Sequence, residues 1–402
     1  MEAELKINTP EGKKQLVLTY IPFLLNGLLA LSIGSLLPFI REARGLNYAF
    51  AGMIVSLHSV GNFISSFFAG AAAMALGKKR SILIFNSCYA LSYILIIFCP
   101  YNWAIALAFL MTGLARGATS NFANSTINDL APGKASYLNG LHAMFSIGAL
   151  LFPAILTGMT KNNPSNWIYA VYMMVTLGIL SFIIYLLNPA GNAKVSNDKN
   201  ESTSSSEKAS DKFGFFKEPL FYLVVFTLFF YLCAEQGVIG WMVTYFSDTG
   251  LLDESLSQLT GTIMWAMMLI GRLFTAYATS KYRKENLLLG MSFGVVVFFI
   301  WLLLSKTTPL IAVGIMGFGL SMAGIYATTV SFAGSIIKKY ELCWSFILTM
   351  ASLGSILMPS IMGAIAEGAG IAAGMSSVAV VVVLDFILVF SLRRYLIRHA
   401  EG

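Results

Sequence analysis

Ser146-Ile-Gly148-Ala-Leu-Leu-Phe-Pro153 returns in the second half of the chain as Ser352-Leu-Gly354-Ser-Ile-Leu-Met-Pro359, and the same offset carries Gly113-Leu114 onto Gly319-Leu320. Two separate stretches that recur in register argue for a long internal repeat rather than a local coincidence. Solenoids repeat every 20 to 50 residues or so. A period of about half the chain, written in segments this apolar, implies two parallel six-helix halves of a transporter.

Composition identifies the solvent. Hydrophobic residues make up 57% of the 402 residues and charged residues 11%, and the mean hydropathy is +0.75. A soluble domain of this length cannot hide so much apolar surface in one core. The chain therefore reads as an all-α integral membrane protein. Crossing about 30 Å of hydrocarbon takes roughly 20 residues of helix. Twelve such stretches are found, at 16–40, 51–76, 81–100, 103–128, 137–159, 167–188, 218–246, 255–280, 287–305, 308–337, 343–367 and 371–392.

The charges orient these spans. With the N-terminus inside, most of the 26 Lys and Arg fall on the cytoplasmic side, including Lys78-Lys79-Arg80, Lys281, Arg283, Lys284, Lys338-Lys339 and Arg393-Arg394. The external loops hold Arg41, Arg44, Lys161 and Lys306. That bias predicts cytoplasmic termini in a multi-pass protein of the cell (plasma or inner) membrane. It also accounts for most of the formal net charge of +7, so the basic loops read as partners of membrane lipid and no nucleic-acid partner is implied.

The organisation follows. Residues 1–188 form an N-terminal six-helix bundle, 189–217 a flexible cytoplasmic linker rich in Ser and charge, and 218–402 a C-terminal six-helix bundle with a cytoplasmic tail. The first apolar run is too long for a signal-peptide core and stays as the first span. The four cysteines, Cys88, Cys99, Cys233 and Cys343, form no CxxC pair and have no His at ligand spacing, which disfavours disulfides and zinc. No Walker loop, HExxH or hydrolase elbow occurs. The expectation is a protein without cofactor or metal that is not an enzyme.

The basic loop between the second and third spans, Gly70-Ala-Ala-Ala-Met74-Ala75-Leu-Gly77-Lys78-Lys79-Arg80, resembles the signature loop of the major facilitator superfamily. Met74 and Ala75 stand where that family usually has Asp and Arg, and Gly271-Arg272 followed by Lys281-Tyr-Arg283-Lys284 is a looser second copy. Within the superfamily, Gly113-Leu-Ala-Arg116-Gly117-Ala-Thr-Ser-Asn121-Phe-Ala-Asn124-Ser-Thr-Ile-Asn128, Leu138-Asn139-Gly-Leu-His142-Ala-Met-Phe145-Ser-Ile-Gly148 and Glu235-Gln236-Gly-Val-Ile-Gly240-Trp241-Met-Val-Thr-Tyr245 resemble the fucose permease group of sugar–proton symporters. The resemblance implies alternating access by rocking of two bundles around a central cavity. The group's carboxylates in the first and fourth spans are replaced here, through Leu36-Leu37-Pro38 and Asn124, by Gly34 and Ser120. Proton coupling by that route is absent.

The remaining buried charges gain weight for that reason. Glu235 in the seventh span is the best placed carboxylate for proton coupling, because an intramembrane acid must face a cavity or a partner; a structural Glu bonded to neighbouring helices is the alternative. Arg116 is near the middle of the fourth span and keeps its proton, so it reads as a permanent anchor lining the cavity. Arg116, Ser120, Asn124 and Asn128 follow at four-residue spacing, with Asn121 beside them. The amides of Asn121 and Asn124 can donate to and accept from sugar hydroxyls. His142, one turn from Ser146, is a packing residue, a substrate donor or a titrating switch. His58 lacks polar company in sequence and reads as structural. Asn26, Gln236 and Trp265 complete the expected substrate-binding set, Trp265 by stacking on a pyranose face. Trp241 is either a second such platform or an anchor at the membrane interface.

The reading is a secondary active transporter, a functional monomer, moving a small hydroxylated solute, a monosaccharide, by proton symport. The competitor is a drug–proton antiporter exporting amphipathic compounds. Gly148-Ala-Leu-Leu-Phe152-Pro153 is close to the exporter signature, with Phe152 at its second Gly, but sugar symporters share the Gly and Pro. Gly148 and Pro153, with Gly354 and Pro359, are expected to give close approach and bends where the bundles meet. The orientation has a direct check. A cysteine placed at Ser205 should react with impermeant thiol reagents from the cytoplasmic side alone, and one at Asn162 from outside alone; labelling of Ser205→Cys in intact cells overturns the topology.

Overall fold

The computed structural model describes residues 6–131, 134–189, 213–279, 281–340 and 342–400. They fold into α1 (Pro10–Arg44), α2 (Tyr48–Leu76), α3 (Lys78–Phe98), α4 (Asn102–Leu130), α5 (Ala135–Thr160), α6 (Trp167–Leu187), α7 (Pro219–Asp248), α8 (Glu254–Ala278), α9 (Lys284–Leu304), α10 (Thr308–Met322), α11 (Ile325–Phe332), α12 (Gly334–Lys339), α13 (Cys343–Ala369) and α14 (Ile371–Ala400). Among the described residues, eleven segments are long and apolar enough to cross a membrane. The twelfth span is α4, long enough at 29 residues but diluted by Arg116, Ser120, Asn121 and Asn124. Large apolar side chains such as Phe67, Phe98, Leu273, Leu304 and Val380 point outward, as lipid-facing surfaces do.

The helix ends follow local chemistry. Thr9 caps α1, its Oγ1 accepting from the Gly12 N–H at 3.0 Å, with Pro10 at the first helical position. Asp253 caps α8 through the Leu256 N–H at 2.8 Å. The expected tenth span, 308–337, is instead broken into α10, α11 and α12. A Cβ on Gly324, at the break, would lie 2.5 Å from Thr275 and 2.8 Å from Met291 Sδ. The chain bends there against α8 and α9 in a glycine-weakened stretch.

The chain divides into two compact units, one of Met1–Gly45 with Leu57–Ser202, the other of Leu46–Ser56 with Thr203–Gly402. The expected boundaries did not anticipate that the first turns of α2 cluster with the second unit. There the Tyr48 hydroxyl donates to Asp248 at 2.8 Å, the Tyr48 N–H to Glu367 at 2.8 Å, and the Ser360 N–H to Ser56 Oγ at 3.1 Å. Residues 190–212 of the expected linker lie outside the described residues. Its last residues depart from the expectation of flexibility. Gly214–Lys217 forms a 3₁₀ turn whose Phe215 is fully buried among Phe216, Phe221, Tyr340 and Phe346. Just beyond, Glu218 accepts from Lys339 Nζ at 2.8 Å and from the Tyr340 hydroxyl at 3.2 Å. The Lys339 hydrogen bond holds the Glu218 carboxyl below its ordinary value.

Inside the first unit α1 packs on α5, α4 and α6, and α3 on α4 and α6. Inside the second, α7 packs on α13, α11 and α14, and α9 on α10 and α14. The pairing order is the same. The repeated sequence pattern explains why. A Cβ at Gly148 of α5 would overlap the Leu24 carbonyl of α1, and one at Gly354 of α13 would overlap the Phe229 carbonyl of α7. Gly113 of α4 sits on the His58 carbonyl of α2, and Gly319 of α10 stands 2.8 Å from the Met264 carbonyl of α8, measured from its would-be Cβ. The duplicated glycines are close-approach points within each unit, correcting the expectation that Gly148 and Gly354 serve where bundles meet.

The basic α2–α3 loop also differs from the family's latch. Lys78 Nζ bonds Asp129 at 3.0 Å and Ser125 at 3.3 Å at the end of α4, while Met74 is exposed. A lysine tether stands where the Asp and Arg are missing; exposed pairs of this kind contribute about 0–1 kcal/mol.

The crossing role gives a paired test. Gly148→Ala and Gly354→Ala should each lower thermal stability by about 1–3 kcal/mol, the cost of forcing a methyl into a packed contact. Gly158, whose Cβ would meet nothing within 4 Å, should tolerate Ala or gain up to about 1 kcal/mol. Equal melting temperatures for all three variants would refute the shared packing role.

Candidate functional site

In the first unit the site is built around α4. Gly113 and Gly117 bring its backbone against α2; a Cβ at Gly117 would crowd Ser66 Oγ at 2.7 Å. Residues four apart on α4 therefore face the same neighbours. Thr112 Oγ1 lies 2.9 Å from His58 Nδ1. One turn on, Arg116 Nη1 lies 3.3 Å from His58 Nε2, and its guanidinium sits 5.7 Å from the centre of the Phe145 ring of α5. Such a cation–ring contact contributes about 0.5–2 kcal/mol, more as water is excluded. A further turn on, Ser120 Oγ accepts from Asn26 Nδ2 of α1 at 3.2 Å, and the Tyr89 hydroxyl of α3 donates to Asn26 Oδ1. Four helices thus meet through polar side chains, and α5 adds an aromatic ring.

The expected binding residues separate. Asn26 is buried at 1% exposure and commits both ends of its amide to Ser120 and Tyr89, which makes it a tie between helices. Asn124 is half-buried and on the stripe. Asn121 is exposed and donates to the Ser66 carbonyl of α2 at 3.1 Å. One residue turns about 100° around a helix, so Asn121 cannot share the Ser120 face. His142 is exposed and meets the Phe23 ring edge-on at 5.8 Å. Its carbonyl accepts from Ser146 Oγ at 3.0 Å. His58 corrects the sequence reading: it has the polar company that its own helix did not reveal. No spacing along the chain could show it, because the partners are on another helix.

In the second unit Glu235 is 9% exposed. The Tyr231 hydroxyl donates to its Oε1 at 2.7 Å and Gln236 Nε2 to its Oε2 at 3.2 Å. The Tyr326 ring of α11 lies 6.1 Å from that of Tyr231, and Arg272 of α8 is within electrostatic reach of Tyr231. Gln236 is thus a partner of the acid. Trp265 is buried on α8 at 6% exposure. Trp241 is fully buried and donates from Nε1 to the Pro359 carbonyl at 3.1 Å; neither interface anchor nor free platform, it ties α7 to α13. A second buried acid, Asp385 of α14, accepts from Ser292 Oγ of α9 at 2.8 Å. Its Oδ1 has no hydrogen-bond partner. Among the described residues no group of three His, Cys, Asp or Glu could hold a metal.

Comparison with known proteins accords with this architecture. The family described as Major Facilitator Superfamily matches residues 20–344, and the chain belongs to that superfamily of membrane transporters. It is 24% identical over 362 residues to the glucose/mannose transporter GlcP of Bacillus subtilis (strain 168), covering 86% of each chain. It is 25% identical over 354 residues to a glucose/galactose transporter of Brucella abortus, covering 84% of each. The fold superposes on the crystal structure of a D-xylose–proton symporter with a TM-score of 0.75 at 12% identity, over 94% of this chain and 97% of that one. The protein is a multi-pass transporter, not an enzyme.

The two amides should behave differently when shortened. Asn26→Ala takes the amide away from the buried Tyr89 hydroxyl and the half-buried Ser120 hydroxyl and should cost about 1–3 kcal/mol of stability. Asn124→Ala should keep the melting temperature and weaken solute binding by a similar free energy, about five- to 150-fold. A destabilised Asn124→Ala with intact affinity would assign that amide to packing.

Proposed function

We propose that the protein is a secondary active transporter of monosaccharides, coupled to protons through Glu235. The observation that carries the reading is the polar line on α4, where a half-buried Asn124 follows Ser120 and Arg116 turn by turn. Amides, hydroxyls and a guanidinium suit the mixed donor and acceptor demands of sugar hydroxyls. The names of the Bacillus and Brucella relatives, both hexose transporters, support the solute class. Gly148, part of the stretch that resembles the exporter signature, has a packing explanation in its approach to α1, and this weakens the drug-export alternative.

In this reading Glu235 loses and regains its charge during the cycle. Its two donors, Tyr231 and Gln236, satisfy the carboxylate when ionised, and the acid needs neither when protonated. Both termini face the cytoplasm, the basic loops meet anionic lipid, and a single chain of two six-helix halves (1–188 and 218–402, joined through 189–217) suffices for alternating access at the cell membrane.

Uptake of a panel of labelled monosaccharides into proteoliposomes, with and without a pH gradient, tests the solute and the coupling together. Dye efflux with no sugar flux would refute the sugar reading. Glu235→Gln keeps size and hydrogen bonding but cannot titrate. It should abolish pH-driven accumulation of glucose and preserve binding and counterflow exchange; full accumulation by this variant would remove Glu235 from the coupling step.

A further inference from the structure

The contact between Arg116 and His58 fixes a chemical state. A guanidinium has N–H donors and no acceptor, so in the 3.3 Å contact between Arg116 Nη1 and His58 Nε2 the imidazole nitrogen must accept. Nε2 therefore carries no proton, and the ring's N–H is at Nδ1. That hydrogen points along the 2.9 Å contact to Thr112 Oγ1. The Thr112 hydroxyl in turn donates to the Phe109 carbonyl at 2.7 Å. Each donor in the line Arg116, His58, Thr112 has an acceptor ahead of it, and the line ends on the backbone. His58 is 5% exposed, so its two ring nitrogens rely on Arg116 and Thr112 for hydrogen bonds.

We propose that His58 is a positioning residue for Arg116: as the Nδ1–H imidazole it holds the guanidinium through Nε2, and on taking up a proton it gives the guanidinium over to the solute. A proton from hydronium on the acidic side occupies the Nε2 lone pair. Two N–H groups then face each other and the contact must open. The charged group facing His58 is Arg116 of α4; Thr112 of the same helix is polar and does not titrate. Beyond Arg116, the Tyr89 phenol of α3 is within its electrostatic reach. Phe145, on the other side of the guanidinium, keeps a released Arg116 at the stripe that leads to Ser120 and Asn124. Protonation of His58 thus makes an anchor available to sugar hydroxyls, and binding tightens as pH falls. This deepens the sugar–proton reading for its consequence, while the tautomer rests on geometry alone.

Two measurements test it. The chain has three histidines, so ¹⁵N imidazole spectra of the purified protein are simple, and His142→Gln and His399→Gln assign the others by elimination. His58 should be the Nδ1–H tautomer at neutral pH, with Nε2 unprotonated, and its protonation should move the Arg116 guanidinium signal, assigned by Arg116→Lys. An Nε2–H tautomer, or an unmoved guanidinium, overturns the proposal without any solute present. In the second measurement, glucose affinity is followed in Glu235→Gln, where that acid no longer titrates. It should tighten by about tenfold as the pH is lowered from about 8 toward about 4.5. Glu235→Gln with His58→Gln, which keeps an acceptor for Arg116 but cannot titrate, should lose that step. A flat profile in Glu235→Gln alone overturns the proposal. Failure of every monosaccharide to bind the unaltered protein would refute the sugar reading, and the imidazole spectra would still decide the tautomer.

Discussion

Lipid tails are as apolar as leucine, so burying leucine between two membrane helices gains little. Close contact has to supply the attraction, and in this protein it does so at glycine crossings. Gly148 lets α5 touch the backbone of α1, Gly354 lets α13 touch α7, and Gly113 and Gly319 do the same for α4 on α2 and α10 on α8. Dispersion is steep in distance, so an ångström of separation would forfeit much of it. The same crossings carry side chains into reach of one another. His58 meets Thr112 and Arg116 because its own carbonyl lies under Gly113.

The second constraint is the cost of charge in hydrocarbon. Each unit meets it by surrounding the charge with polar or aromatic groups. Arg116 rests between an imidazole acceptor and an aromatic face. Glu235 is held by a phenol and an amide. Both arrangements satisfy a charge through neutral partners that can be exchanged for a solute or a proton.

Not every buried polar group belongs to that machinery. Asn26, Tyr89 and Ser120 join three helices, and Trp241 joins α7 to the Pro359 carbonyl. Such bonds contribute modestly one at a time. Their directionality matters more, because apolar packing in lipid leaves helix rotation weakly specified. A hydrogen bond from a given residue to a given carbonyl specifies it.

The sequence by itself determined the solvent, the number of spans, the internal repeat and the superfamily. These follow from properties read along one helix at a time: hydropathy over about 20 residues, the position of Lys and Arg, and glycine at a repeated offset. It also drew attention to Arg116, Asn124 and Glu235, since an uncompensated polar group in a span is visible without a partner. Tertiary structure decided what each of them touches. Asn121 and Asn124 look alike in sequence and point to different surroundings; His58 and Trp241 look structural or interfacial and prove to be bonded to Arg116 and Pro359. The break in 308–337 and the buried Phe215 belong to the same class. Partnership between side chains depends on how helices cross and rotate, and that is set by contacts between residues far apart in the chain, which no local pattern encodes.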